Sequence, residues 1–312
     1  MSFTYLNPTG NTAFKDRHIT KISETVQPYT AGAHGEIGLI GLPSSKSSIS
    51  LSMAAQAPST IRQSLGAYTT YSNSKGVDYS GLRIIDFGDV PSHPTNIEET
   101  LNRIHVSVDE ILSTAACPRH ILLGGDHGVS YPSIHAFQNH FGKIGVVQWD
   151  AHHDVRNLLD GGPTNGTPFR SLVDGQILQG EHLVQIGIRD HSNGEGYDHY
   201  AKDKGIHVYT MEDVEDQGIL PIVKSEMKRL SEMVDFIYLS VDMDVVDQAF
   251  APGCPAIGPG GLTSRELLAS VRAASQFEKA RAMDIVEIDP SKDVRDITSR
   301  LAAHTMIQFM YN

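Results

Sequence analysis

The sequence predicts a doubly wound α/β fold built on one mostly parallel sheet of about eight strands, and three observations carry that reading. Short apolar, β-branched runs recur along the chain. Several are apolar at nearly every position, as strands buried on both faces are. Helical patterns lie between them, the alternation that makes parallel sheets. The runs fall at residues 36–42, 82–87, 120–123, 144–149, 183–188, 207–209, 236–241 and 282–288. Over 96–112, Ile97, Leu101, Ile104, Val108 and Ile111 step by four and three, with Asn96 and Glu99 at capping-box spacing before them. Thr263 and Glu266 hold the same spacing ahead of the helical pattern at 267–274.

No linker, internal repeat or low-complexity tract cuts the chain, so a single domain over residues 1–312 is expected. The Gly- and Pro-rich stretches at 161–168 and 251–261 directly follow acidic motifs and read as site loops. Hydrophobic residues at 40% and charged residues at 20% allow a large buried core. A formal net charge of −12 argues against nucleic acid or an anionic membrane as partner and leaves a small molecule. The polar N-terminal segment lacks a signal-peptide pattern, and no apolar run approaches the ~18 residues that span a bilayer. Two distant cysteines, Cys117 and Cys254, make neither a disulfide scaffold nor a metal-binding spacing. A cytoplasmic protein is expected.

Three polar clusters each follow an apolar run. Gly124-Gly125-Asp126-His127 comes after residues 120–123. The carboxyl end of a parallel strand is where open α/β folds bind ligands, though a lone histidine there is more often an ordinary loop residue. Asp150-Ala151-His152-His153-Asp154 follows 144–149; in an extended chain Asp150, His152 and Asp154 share one side, and His153 points away. Asp242-Met243-Asp244 follows 236–241, with Asp247 shortly after. Singly, each cluster can be a cap or a turn. Chance does not readily place all three at strand ends.

The combined donors are His127, Asp150, His152, Asp154, Asp242 and Asp244, with no thiolate, a set suited to a borderline-hard divalent ion such as Mn²⁺. One zinc needs only three or four of them, whereas two ions use all six. A metal pair ~3.5–4 Å apart lowers the pKa of a bridging water and yields a hydroxide nucleophile near neutral pH.

Gly-Gly-Asp-His, Asp-Ala-His-x-Asp and Ser-Val-Asp-Met-Asp-x-x-Asp, in that order and followed by Ala251-Pro252-Gly253, resemble the ureohydrolase (arginase/agmatinase) superfamily from about Gly38 to the C-terminus. The resemblance implies a three-layer α/β/α sandwich, a homo-oligomer and a binuclear manganese centre. On that pattern His127, Asp150, Asp154 and Asp242 hold one ion. Asp150, His152, Asp242 and Asp244 hold the other, with Asp150 and Asp242 bridging. Glu287 matches the glutamate that engages the cationic C–N group of the substrate. Asp154 is the implied proton acceptor, passing the proton to the departing nitrogen.

One departure narrows the resemblance. Arginases and agmatinases carry a histidine in the loop after the second motif, and this chain has Asn165 there. Asparagine is no general acid at neutral pH. Asn-Gly-Thr-Pro-Phe-Arg, with Asp-Ala-His-His-Asp-Val-Arg before it and Ala-Pro-Gly-Cys-Pro-Ala after Asp247, is similar to formimidoylglutamases. Those enzymes of histidine degradation convert N-formimidoyl-L-glutamate and water to L-glutamate and formamide. A dicarboxylate substrate needs donors, and Asn165, Arg170, Arg189 and Asn193 are the expected ones. The competing readings are a guanidine-cleaving agmatinase or guanidinobutyrase, against which Asn165 speaks, and a catalytically silent metal scaffold, which has no use for Glu287.

Overall fold

The computed structural model describes residues 16–311. Its strands in chain order are β1 (Val26–Pro28), β2 (Ile37–Leu42), β3 (Tyr71–Ser72), β4 (Val77–Asp78), β5 (Ile84–Asp89), β6 (Arg119–Gly124), β7 (Ile144–Trp149), β8 (Leu183–Ile188), β9 (His207–Thr210), β10 (Phe236–Asp242) and β11 (Ala280–Val286). The α-helices are α1 (Ala57–Ser64), α2 (Ile97–Ser113), α3 (Ser130–Phe141), α4 (Pro168–Asp174), α5 (Glu195–Lys204), α6 (Met211–Gln217), α7 (Ile219–Met233), α8 (Ser264–Ser275) and α9 (Ile297–Met310). Strands β3 and β4 pair as a separate antiparallel ribbon. The other nine form one sheet in the order β1-β5-β2-β6-β11-β10-β7-β8-β9. Every neighbouring pair in it is parallel.

The apolar runs have a simple origin: consecutive residues feed opposite cores. In β6, Ile121 and Leu123 enter one core and Leu122 the other. The first core is closed by Ile61 of α1, Val214 of α6, Leu230 of α7, Val271 of α8 and Phe309 of α9. The second is closed by Val108 of α2, Phe137 of α3, Leu172 of α4 and Ala201 of α5. A three-layer α/β/α sandwich results, as expected.

The eight expected runs are all strands of the main sheet. The ninth, β1, is a largely exposed three-residue edge strand ending in Pro28, too short to show a pattern. The last strand starts two residues before its apolar stretch, where Ala280 pairs with Ile237, and ends two residues before the stretch does, where Glu287 leaves the strand with φ +59°. At α2, Asn96 Oδ1 accepts from Glu99 N at 3.0 Å, but the Glu99 carboxylate turns to Arg103 and leaves the box half closed. Thr263 and Glu266 close theirs fully. Among the described residues no helix is long and apolar enough to cross a membrane.

Candidate metal centre

The four strands β6, β11, β10 and β7 lie side by side in the middle of the sheet, and their carboxyl ends supply the site. After β6, Gly125 passes so close to Ser44 that a Cβ would overlap the Ser44 carbonyl. Asp126 then caps the turn His127–Val129, accepting from Gly128 N at 3.1 Å. After β7 the chain does not run on extended, as the sequence reading supposed. Asp150 Oδ1 accepts from His152 N at 2.6 Å, and Asp154 adopts a left-handed φ of +51°. Asp242 repeats the device, its Oδ1 accepting from Asp244 N at 2.8 Å. Turns, not alternation, aim these side chains. The left-handed Asp154 and Glu287 are strained positions of the kind that cluster at functional sites.

All six expected donors meet. His127 Nδ1 lies 3.1 Å from Asp150 Oδ2, 2.9 Å from Asp154 Oδ2 and 3.1 Å from Asp242 Oδ2. His152 Nδ1 lies 3.1 Å from Asp244 Oδ2 and 3.5 Å from Asp150 Oδ1. Two groups able to hold an ion follow, His127–Asp150–Asp154–Asp242 and Asp150–His152–Asp244, and they share Asp150. Asp242, expected to bridge as well, contributes to the first group, while its Oδ1 is engaged by Asp244 N.

The donor set fits divalent cations on two counts. His127 Nδ1 is buried without a hydrogen-bond partner, although three carboxylate oxygens surround it. The carboxylates also crowd one another in a dry environment. Burial, then the charge of Asp150, pushes Asp154 up to about 6. Burial, then Asp244 and Asp150, pushes Asp242 well above the usual range. The charge of Asp244 lifts His152 to about 12 against the effect of burial. Burial opposes protonation of His127 too, yet Asp150, Asp154 and Asp242 raise it well above an ordinary histidine. A cluster so short of positive charge is relieved by cations.

A cavity of about 220 Å³ opens over the cluster, lined on its floor by His152, Asp154, Asp242, Asp244 and Glu287. Glu287 Oε1 accepts from His127 N at 2.8 Å and from Asn165 Nδ2 at 2.9 Å. Burial, then the charge of Asp126, pushes Glu287 up to about 8. Asn165 also ties down the opposite rim: its Oδ1 accepts from Ile49 N at 3.0 Å, and its N–H donates to Ser47 O at 2.9 Å.

Asn193 lines the cavity but spends its amide on His153 N at 3.0 Å and Ala151 O at 2.9 Å. Arg189 is buried under the 244–261 loop, donating to Asp244 O at 2.8 Å. Arg170 lies outside the cavity lining, paired with Asp174 and stacked 4.0 Å from the Tyr200 ring. Cys254 is buried, and burial pushes its thiol well above the usual range, so it is inert.

The residue that sequence reasoning missed is Arg156. Among the described residues it is the one Arg or Lys lining the cavity. It is exposed, it has no carboxylate partner among the described residues, and Tyr197 OH accepts from its Nη1 at 3.3 Å. Its stem crosses Gly166 so closely that a Cβ there would stand 2.6 Å from Arg156 Cδ. Its position two residues after Asp154 was the available signal.

A model of the arginase family matches residues 35–311. The chain belongs to the arginase family. Within that family it is 50% identical over 300 residues to a formimidoylglutamase from Halalkalibacterium halodurans, covering 96% of this chain and 94% of the relative. It is 44% identical over 305 residues to a formimidoylglutamase from Bacillus subtilis, covering 98% and 95%. The crystal structure of formimidoylglutamase from Bacillus subtilis superposes with a TM-score of 0.95 over 98% of this chain and 95% of that one. The arginase-family fold is thus shared over nearly the whole chain.

Proposed function

We propose that the chain hydrolyses the linear amidine C–N bond of N-formimidoyl-L-glutamate, releasing L-glutamate and formamide, with two manganese ions as cofactors. The observation that carries this reading is the 50% identity with a formimidoylglutamase across 96% of the chain. The cavity supports it, with Asn165 against Glu287 and, in its lining, the Arg156 guanidinium, which has no carboxylate partner among the described residues.

His127, Asp150, Asp154 and Asp242 would hold one ion, and Asp150, His152 and Asp244 the other. An all-oxygen-and-imidazole set suits manganese. Bound there, two such ions supply Lewis acidity, lowering the pKa of water and offsetting the carboxylate charge.

The chain's own groups do the rest. Arg156 receives a substrate carboxylate by charge-assisted hydrogen bonds. Glu287 keeps Oε1 on His127 N and Asn165, leaving Oε2 to orient the amidinium. Asp154, whose Oδ2 lies 2.9 Å from His127 Nδ1 and which lines the cavity, would accept the proton of the attacking water and give it to the departing nitrogen. The free, buried cysteines suit a reducing cytoplasm.

The test offers manganese-loaded protein formimidoylglutamate, agmatine, arginine and guanidinobutyrate while formamide and urea are measured. Formamide from the first substrate alone is expected. Urea release without formamide would overturn the reading.

A further inference from the structure

Beneath the strand ends, the buried middle of the sheet carries a row of polar side chains. Across β11, β10, β7 and β8, Asp284 stands beside Ser240, Ser240 beside Gln148, and Gln148 beside Gln185, each pair in register. All four are 0% exposed. They face the α2–α5 side, since Ala282, Val286, Tyr238, Val146 and Leu183, two residues away along their strands, belong to that core. Burying such a row is costly unless every group is bonded. Here the bonds run up to the cluster.

Gln148 Nε2 donates to Asp150 Oδ2 at 2.6 Å, and Gln185 Nε2 donates to Gln148 Oε1 at 2.8 Å. Gln185 Oε1 in turn accepts from His153 Nδ1 at 2.7 Å. A carboxylate only accepts, and an amide donates only through nitrogen, so this chain has a single direction, from His153 to Asp150. On the other arm, Asp284 accepts from Ser240 at 2.8 Å, Ser130 at 2.6 Å and Tyr238 at 2.9 Å. With its proton given to Asp284, Ser240 Oγ is the acceptor for His127 Nε2 at 3.0 Å. His127 therefore carries a proton on Nε2, and its Nδ1 faces the carboxylates.

We propose that the row Gln185–Gln148–Ser240–Asp284 is a positioning tier that presets the donor atoms of Asp150 and His127. The Gln arm holds Asp150 so that Oδ2 serves the His127 group and Oδ1 the His152 group. The Ser240–Asp284 arm fixes the tautomer and ring orientation of His127, the outer support that metal-ligating histidines use. The proposal rests on the two-ion reading of the site and concerns residues that touch neither substrate nor ion.

The test titrates Mn²⁺ into folded protein and follows it by electron paramagnetic resonance, which separates coupled pairs from single ions. Wild type is expected to show a coupled pair. Gln148→Met and Ser240→Ala are each expected to raise the Mn²⁺ dissociation constants ~10–100-fold and to lose the coupled signal, while Ser240→Thr, which keeps the hydroxyl, restores it. A second readout is the slowly exchanging His127 Nε2–H proton in ¹⁵N-histidine-labelled, metal-free protein, lost in Ser240→Ala and kept in Ser240→Thr. If Gln148→Met does not fold, Gln185→Met, which removes only the bond that orients Gln148, carries the same comparison. Unchanged dissociation constants in the folded variants, or no His127 Nε2–H in wild type, would overturn the proposal. Failure of wild type itself to take up Mn²⁺ would instead overturn the two-ion reading and leave the Nε2–H readout to decide the tier.

Discussion

Removing the Arg156 guanidinium tests how the cavity distinguishes an acidic substrate. The side chain is exposed, anchored by Tyr197 OH at 3.3 Å and by the Tyr197 ring centroid at 5.4 Å, so Arg156→Ala leaves the buried cluster intact. An exposed ion pair is worth up to ~1 kcal/mol, whereas hydrogen bonds to a charged group contribute ~1.5–3 kcal/mol. Arg156 is exposed yet lines a concave cavity, which places the pair between these limits. A loss of ~1.5–2 kcal/mol corresponds to ~10–30-fold in kcat/KM. Because the carboxylate is remote from the bond that breaks, the loss belongs in KM, with kcat nearly unchanged. Initial rates of formamide release give both constants, and raising ionic strength should increase KM for wild type but not for the variant. An unaltered KM, or a loss confined to kcat, would refute the assignment of Arg156 as the carboxylate donor.

Other perturbations address the cluster. Asp150→Ala should strip both ions, because Asp150 belongs to both donor groups, whereas Asp244→Ala should spare the His127 group; metal analysis of the purified variants distinguishes them. Metal affinity should rise with pH: Asp244 lifts His152 to about 12 and the surrounding carboxylates raise His127, so each ion must displace protons to reach a bare nitrogen. Calorimetry in buffers of different ionisation enthalpy counts those protons, and an affinity flat between about pH 6 and 9 would contradict the account. Asn165→Ala removes one of the two donors to Glu287 Oε1 and the side-chain acceptor of Ile49 N, and a loss of ~1–2 kcal/mol lowers kcat/KM ~5–30-fold while metal content stays at the wild-type level. Steady-state kinetics together with metal analysis would show whether the two effects separate.

Much was legible without coordinates. Strands buried on both faces print their burial directly into the chain, so eight of the nine sheet strands stood out; Asp150 follows β7 directly, Asp242 ends β10, and His127 comes three residues after β6. The exposed β1 left no such print. The roles of the arginines were not legible. Arg156, Arg170 and Arg189 are equally cationic as letters, and only the folded chain pairs Arg170 with Asp174, tucks Arg189 under Asp244 O and leaves Arg156 open to the cavity. The turn at Asp150 was misread as extended chain, because a carboxylate that will bond a backbone N–H two residues on looks no different in sequence.

By itself the sequence determined the layered architecture and the six donors, since hydrophobic period and ligand chemistry are local properties carried residue by residue. Tertiary structure alone decided which groups meet. The interposition of β10 and β11 between β6 and β7 gathers four strand ends around one point, and the same register lines Gln185, Gln148, Ser240 and Asp284 beneath it. Strand order arises from the packing of helices far apart in the chain, and no local pattern of residues encodes it.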